Sequence, residues 1–166
     1  MPIRKNKNGA LIMAMQNIYN YQKPKVIPAI TKPLEKKPAI FEAKKSEVKA
    51  DPYLEQKIMA AKPEELTMML YEGMVKFLKQ GILYNDQKNI EKTSNSIIRA
   101  QAIVNELNAT LDETYDISRN LSDIYCFMSA RLIDANLEKN TDIIKEVLGF
   151  AEELRDTWKQ AMQLAK

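Results

Sequence analysis

The chain has 166 residues, of which 45% are hydrophobic and only 4 are glycine, and its formal net charge is +3. It contains no histidine and a single cysteine, Cys126, which excludes histidine-based metal sites, histidine-assisted nucleophiles and an internal disulfide. These counts predict one mostly helical domain plus a tail in a reducing compartment, and they leave few enzyme chemistries. We therefore expect no enzyme activity, no metal and no cofactor. No run of about 18 apolar residues occurs, so no membrane span is predicted.

Charge and proline content divide the chain near residue 50. Residues 1–50 carry 11 Lys or Arg against 3 Asp or Glu, a net charge of 11 − 3 = +8, and the remainder carries 14 against 19, a net charge of −5. Five of the 7 prolines also precede residue 50. We interpret 1–50 as a basic, Pro/Lys-rich tail that is extended or disordered, and 51–166 as the folded domain. A nucleic-acid-binding arm is the alternative for the tail, but no nucleic-acid motif accompanies it, so no nucleic-acid partner is predicted.

Helical periodicity of the apolar residues begins after Pro63, which suits the first turn of a helix. Helices are predicted at 64–85 and 88–111, a third begins near Asp116 as its N-cap, and a fourth begins near Thr141. The connections are short, so consecutive helices must run antiparallel as neighbours. The predicted fold is therefore all-α, an antiparallel up-down four-helix bundle preceded by the tail.

Two of these helices are apolar on more than one side. The first carries Leu66, Leu70 and Phe77 on one face and a second apolar series at Met68, Tyr71, Val75, Leu78 and Ile82. The third carries a weaker second series at Cys126, Ala130, Ile133 and Leu137, in which Cys126 is interpreted as a small buried hydrophobe. Such series must be covered, either permanently by residues 51–62 or by a partner helix.

Several short motifs stand in order along the chain: AKPEELTMMLYEG at 61–73, IRAQ at 98–101 with ELN at 106–108, NL at 120–121 with Tyr125, RL at 131–132, AN at 135–136, and VL and LRDTW in 147–158. In this order and at this spacing they resemble the FliS family of flagellar export chaperones. The resemblance covers about residues 53–166. It implies a non-enzymatic, cytoplasmic bundle that binds the C-terminal segment of flagellin, prevents premature polymerisation and aids type III secretion through the flagellar export apparatus.

The resemblance also implies a displaceable N-terminal cover, placed here at Tyr53 and Ile58, over a partner-binding surface of Met68, Tyr71, Val75, Leu78, Ile82, Ile133 and Leu137. Met15–Tyr21 resembles a family start as well, which leaves open whether Tyr53 or Tyr19 and Tyr21 act as the cover. Lys62 stands where the family has a small capping residue, a departure worth about 1 kcal/mol unless another group caps the helix.

Two tests follow from the sequence. Val75→Asp is expected to abolish partner binding and preserve helicity, whereas loss of the fold would assign that face to the core. The alternative function is a helical adaptor that self-associates, for instance as a homodimer, without a chaperone role.

Overall fold

The computed structural model describes residues 52–165, and every regular element within them is an α-helix. The helices are α1 Pro52–Ala60, α2 Pro63–Asp86, α3 Ile90–Ala109, α4 Ile117–Glu138 and α5 Thr141–Leu164. The prediction of an all-α fold is confirmed, and the four predicted helices correspond to α2–α5. The predictions for residues 1–50, including Tyr19 and Tyr21, lie outside the described residues.

The four long helices form a closed ring in which each packs against two others. The packed pairs are α2 with α3, α3 with α4, α4 with α5, and α5 with α2. Helices α2 and α3 run antiparallel. Lys92 near the start of α3 contacts Tyr84 near the end of α2, and Arg99 further along α3 contacts Phe77 earlier in α2. Helices α2 and α4 are diagonal partners, and their hydroxyls on Tyr71 and Tyr125 are hydrogen-bonded inside the bundle.

Local chemistry sets most of the helix ends. The backbone N–H of Lys62 donates to Glu65 Oε2 at 2.9 Å, which caps α2 from the third helical residue although Lys62 has no side-chain acceptor. Asn89 and Asn140 cap α3 and α5 through their side-chain oxygens. The prediction that Asp116 caps α4 is wrong, because its side chain makes no capping hydrogen bond and its backbone is already helical.

The end of α2 is fastened to the turn between α4 and α5. The side-chain amide of Asn85 donates to the backbone carbonyl of Lys139 and to the hydroxyl of Thr141, both at 2.7 Å. Lys139 itself adopts a left-handed conformation (φ 51°), which ends α4 and reverses the chain. These contacts fix the relative position of α2, α4 and α5 at this end of the bundle.

Candidate functional site

The second apolar series of α2 lies inside the bundle in this structure. Tyr71 is 3% exposed, Val75 is 5% exposed and Leu78 is fully buried. Helix α5 packs along this side, as the contact between the rings of Tyr71 and Trp158 shows (centroids 6.4 Å apart). A partner could touch these three residues only after a helix of the chain had moved away.

Tyr71 also takes part in the tightest polar arrangement of the core. Its hydroxyl is hydrogen-bonded to the hydroxyl of Tyr125, and both rings are buried. Burial raises the pKa of both phenols, and for Tyr125 the nearby Tyr71 raises the pKa further, so both hydroxyls stay protonated. The indole N–H of Trp158 donates to the Glu64 carbonyl at 3.0 Å, which joins the last turns of α5 to the first turn of α2.

Met68 and Ile82 lie at the borders of the same series and are only half-buried. Met68 opens onto a shallow pocket of about 430 Å³ between α1, α2 and α5. Five of the eight lining residues are apolar, and three of these are methionines. The lining consists of Lys57, Ala60, Ala61, Glu65, Met68, Met69, Glu72 and Met162. Flexible thioethers allow such a pocket to adapt its shape to an apolar side chain.

The second series of α4 lies on the surface, on the side of the helix that faces away from the bundle. Ile133 is 48% exposed and Leu137 is 79% exposed. Cys126 and Ala130, which lie on earlier turns of the same face, are also exposed. We call these four residues the α4 strip. The interpretation of Cys126 as buried is wrong: it is exposed, and only the amide of Asn108 approaches its sulfur (3.7 Å).

An aromatic pair that was not predicted from the sequence lies beside the α4 strip. Phe127 of α4 is partly exposed and meets Phe150 of α5 edge-on, with ring centroids 5.6 Å apart. Helix α4 thus presents apolar surface in two places, on the α4 strip and at its edge with α5. The signal was present in the sequence, because Phe127 adjoins Cys126 and lies one turn from Ala130, but it belongs to neither predicted series.

The two residues expected to form the N-terminal cover have different positions. Ile58 is 1% exposed and belongs to the core, whereas Tyr53 is 74% exposed. Ile58 is the buried residue of α1, and Leu54 packs only partly against the core. A helix of 9 residues is too short to be stable by itself, so α1 depends on these few contacts.

Other kinds of site find no support in the described part of the chain. Within residues 52–165, no group of three or more Cys, Asp or Glu side chains could hold a metal ion. The same residues include no helix that is long and apolar enough to cross a membrane. The features that remain are the surfaces of a helical bundle.

The fold and surface therefore define an all-α antiparallel bundle that carries an apolar strip on one outer helix face. The family model for the flagellar protein FliS matches residues 45–165. The chain belongs to the FliS family.

Curated relatives from several bacteria support this assignment. The chain is 36% identical over 111 residues to the flagellar secretion chaperone FliS of Bacillus subtilis, which covers 67% of this chain and 84% of that protein. It is 33% identical over 110 residues to the protein of the same name from Salmonella typhimurium (64% and 82%). The Escherichia coli protein is 28% identical over 126 residues (74% and 93%). The family resemblance found in the sequence is thus confirmed.

Proposed function

We propose that this chain is a cytoplasmic flagellar export chaperone that binds the C-terminal segment of flagellin. Bound flagellin would be kept from polymerising early and delivered to the flagellar type III export apparatus. Membership of the FliS family, whose relatives are named flagellar secretion chaperones, supports the chaperone role. The identity of the partner rests on the family resemblance.

The observation that carries the proposal is the α4 strip. Its spacing of 4, 3 and 4 residues forms a continuous ridge on one helix face, which matches the apolar anchors of a helix that packs against another helix. The small side chains of Cys126 and Ala130 let a partner backbone approach closely, and Ile133 and Leu137 supply the larger apolar area. Full burial of one such side chain stabilises a complex by about 1.5–3 kcal/mol before the cost of ordering the partner.

The α2 series would contribute to binding in a second way. Met68 and Ile82 are accessible at its borders, and the buried Tyr71, Val75 and Leu78 would become accessible if α5 shifted. We propose that α1, anchored by Ile58, is the displaceable cover of this region. Displacing it would lower the apparent affinity, because part of the binding free energy would be spent on opening.

Calorimetric titration of the full chain with the C-terminal segment of the host flagellin tests the function. We expect saturable one-to-one binding. Ile133→Asp with Leu137→Asp should weaken it at least tenfold, because two anchors would be replaced by charges that must be desolvated. The matched control is Leu83→Asp, a 52% exposed position on the outer face of α2, which should leave the affinity unchanged.

Each other outcome favours a different conclusion. A stable dimer that ignores flagellin and dissociates in the Ile133→Asp, Leu137→Asp variant would assign the α4 strip to self-association. Binding that is unaffected by that variant would remove the strip from the partner surface. Salt-sensitive binding of nucleic acid by residues 1–50, without flagellin binding, would favour the nucleic-acid alternative.

A further inference from the structure

A small basic groove lies between α2 and α3, on a part of the surface that the proposed chaperone function does not use. The groove has a volume of about 260 Å³ and is lined by Gln80, Tyr84, Lys92, Asn95, Ser96 and Arg99. All six are neutral or cationic. This is a local reversal of sign, because residues 51–166 together carry a net charge of −5.

Both cations of the groove are seated on aromatic rings of α2. The Lys92 ammonium lies 5.4 Å from the centre of the Tyr84 ring, and the Arg99 guanidinium lies 5.5 Å from the centre of the Phe77 ring. Cation–π contacts of this kind hold long, flexible side chains in place. Less conformational entropy is then lost when the charges bind an anion.

The groups around these cations suit carboxylates. The guanidinium of Arg99, whose Nε is buried, adds its positive charge to that of Lys92, and the amides of Gln80 and Asn95 are hydrogen-bond donors at the groove. Exposed Lys76 is one turn from Gln80 on α2 and extends the positive surface. We propose that this groove, formed by Gln80, Lys92, Asn95 and Arg99 and flanked by Lys76, docks an acidic segment of a partner protein.

The spacing of the cations specifies the partner further. Lys92 and Arg99 are two helical turns apart, about 10 Å along the axis of α3. Two carboxylates separated by two turns of a partner helix, or by three residues of an extended strand, span the same distance. The acidic segment therefore needs at least two carboxylates with one of these spacings.

A short acidic segment fits the groove better than a nucleic acid does. A nucleic-acid backbone presents a continuous row of phosphates, whereas the basic surface here is bounded by Glu72 on α2 and by Glu91 and Glu106 on α3. Single-stranded nucleic acid also uses exposed rings for base stacking, and the Tyr84 ring is half-buried and partly covered by Lys92.

The groove and the α4 strip lie on different helices of the bundle. The groove lies on the outer side of the α2–α3 pair, and α4 is diagonal to α2 in the ring. The strip faces away from the bundle. An acidic partner could therefore bind to the chaperone whether or not the α4 strip carries its own partner, and the inference does not rest on the proposed function.

The test is a residue-resolved NMR titration of the isotope-labelled full chain with a synthetic helical peptide that carries glutamates two turns apart. A peptide with glutamine at the same positions is the control ligand. We expect saturable shifts of the backbone amides of Gln80, Asn95 and Arg99 with the glutamate peptide only. Shifts confined to residues 1–50, or spread evenly over the surface, would overturn the proposal.

Two matched variants separate the groove from general charge effects. Lys76→Gln with Lys92→Gln should weaken peptide binding at the groove about tenfold, the effect of two modest ion pairs. Lys145→Gln with Lys159→Gln removes the same charge from exposed positions of α5 and should have no effect. All four side chains are exposed, so all variants should fold. Equal losses in the two variants would contradict a specific groove.

Two further arms sharpen the result. Arg99→Gln removes the positive charge that lies against the Phe77 ring, so it should weaken peptide binding several-fold. A short single-stranded oligonucleotide should shift the groove amides less than the glutamate peptide at equal concentration. The opposite order would assign the groove to nucleic acid and refute an acidic protein segment.

Discussion

Val75→Asp distinguishes a face that belongs to the core from one that is open to a partner. Val75 is 5% exposed on the side of α2 that packs against α5. The substitution removes about 1.5–2 kcal/mol of apolar burial. It also forces a carboxylate into a site that is only 5% exposed, at a cost of several kcal/mol. The expected loss in the free energy of unfolding is therefore about 5 kcal/mol, a large part of what a domain of this size has.

Thermal unfolding followed by circular dichroism measures the effect. For a domain of this length we expect the Tm to fall by roughly 15 °C or more, and helicity at 25 °C to be reduced. Ile133→Asp, at a 48% exposed position of α4, is the control and should lower the free energy of unfolding by about 1 kcal/mol at most. A Val75→Asp protein with a native Tm and no flagellin binding would refute this reasoning, because it would make the α2 face an open binding surface.

Three other predictions concern the core and its cover. Tyr71→Phe and Tyr125→Phe should each destabilise the bundle by about 1–2 kcal/mol in urea unfolding, because each leaves one buried hydroxyl unpaired. The double variant should lose clearly less stability than the sum of the two single losses. Additive losses would contradict the hydrogen bond. Gly149→Ala should raise the free energy of unfolding by about 0.5–1 kcal/mol, because the glycine is inside α5 and a Cβ there meets no atom within 4 Å. A lower free energy of unfolding would show that the added methyl group clashes with a neighbour. Ile58→Asp should release α1 and tighten flagellin binding several-fold in calorimetry, whereas weaker binding would mean that α1 is part of the partner surface.

The helices of the bundle were predictable because their residues agree at several levels. Pro63 with Glu64 and Glu65 marks the start of α2, and this helix was placed to within one residue at either end. Helix α1 was not predicted as a helix because it has 9 residues and a single buried one, so it shows no period. The prediction of a cap at Asp116 was wrong because capping depends on the backbone angles of the capping residue, which the presence of an Asp in the sequence does not reveal.

The candidate surfaces were harder to predict, since a periodic series does not say which neighbour covers it. Ile133 and Leu137 were expected on a second face of their helix, and the structure places them on the surface. Cys126 was assigned to the core by its residue type alone, although its position in the same series put it outside. The basic groove was not predicted, because Lys92 and Arg99 become neighbours of Tyr84 and Phe77 only when α2 and α3 pack.

The different fates of the two second series follow from the residues that separate each from the main apolar face. At 100° per residue, Met74 and Gly81 of α2 lie between its two series, so the helix has one continuous apolar arc that covers well over half its circumference. Only a helix between two neighbours can bury such an arc, and α2 packs against both α3 and α5. On α4 the corresponding positions are Ser122, Ser129 and Asn136, and Ser129 is hydrogen-bonded to polar side chains of α3. On the α3 side, its apolar strip is therefore separated from the core by polar residues. The bundle can fold completely without covering this strip, which leaves it available to a partner.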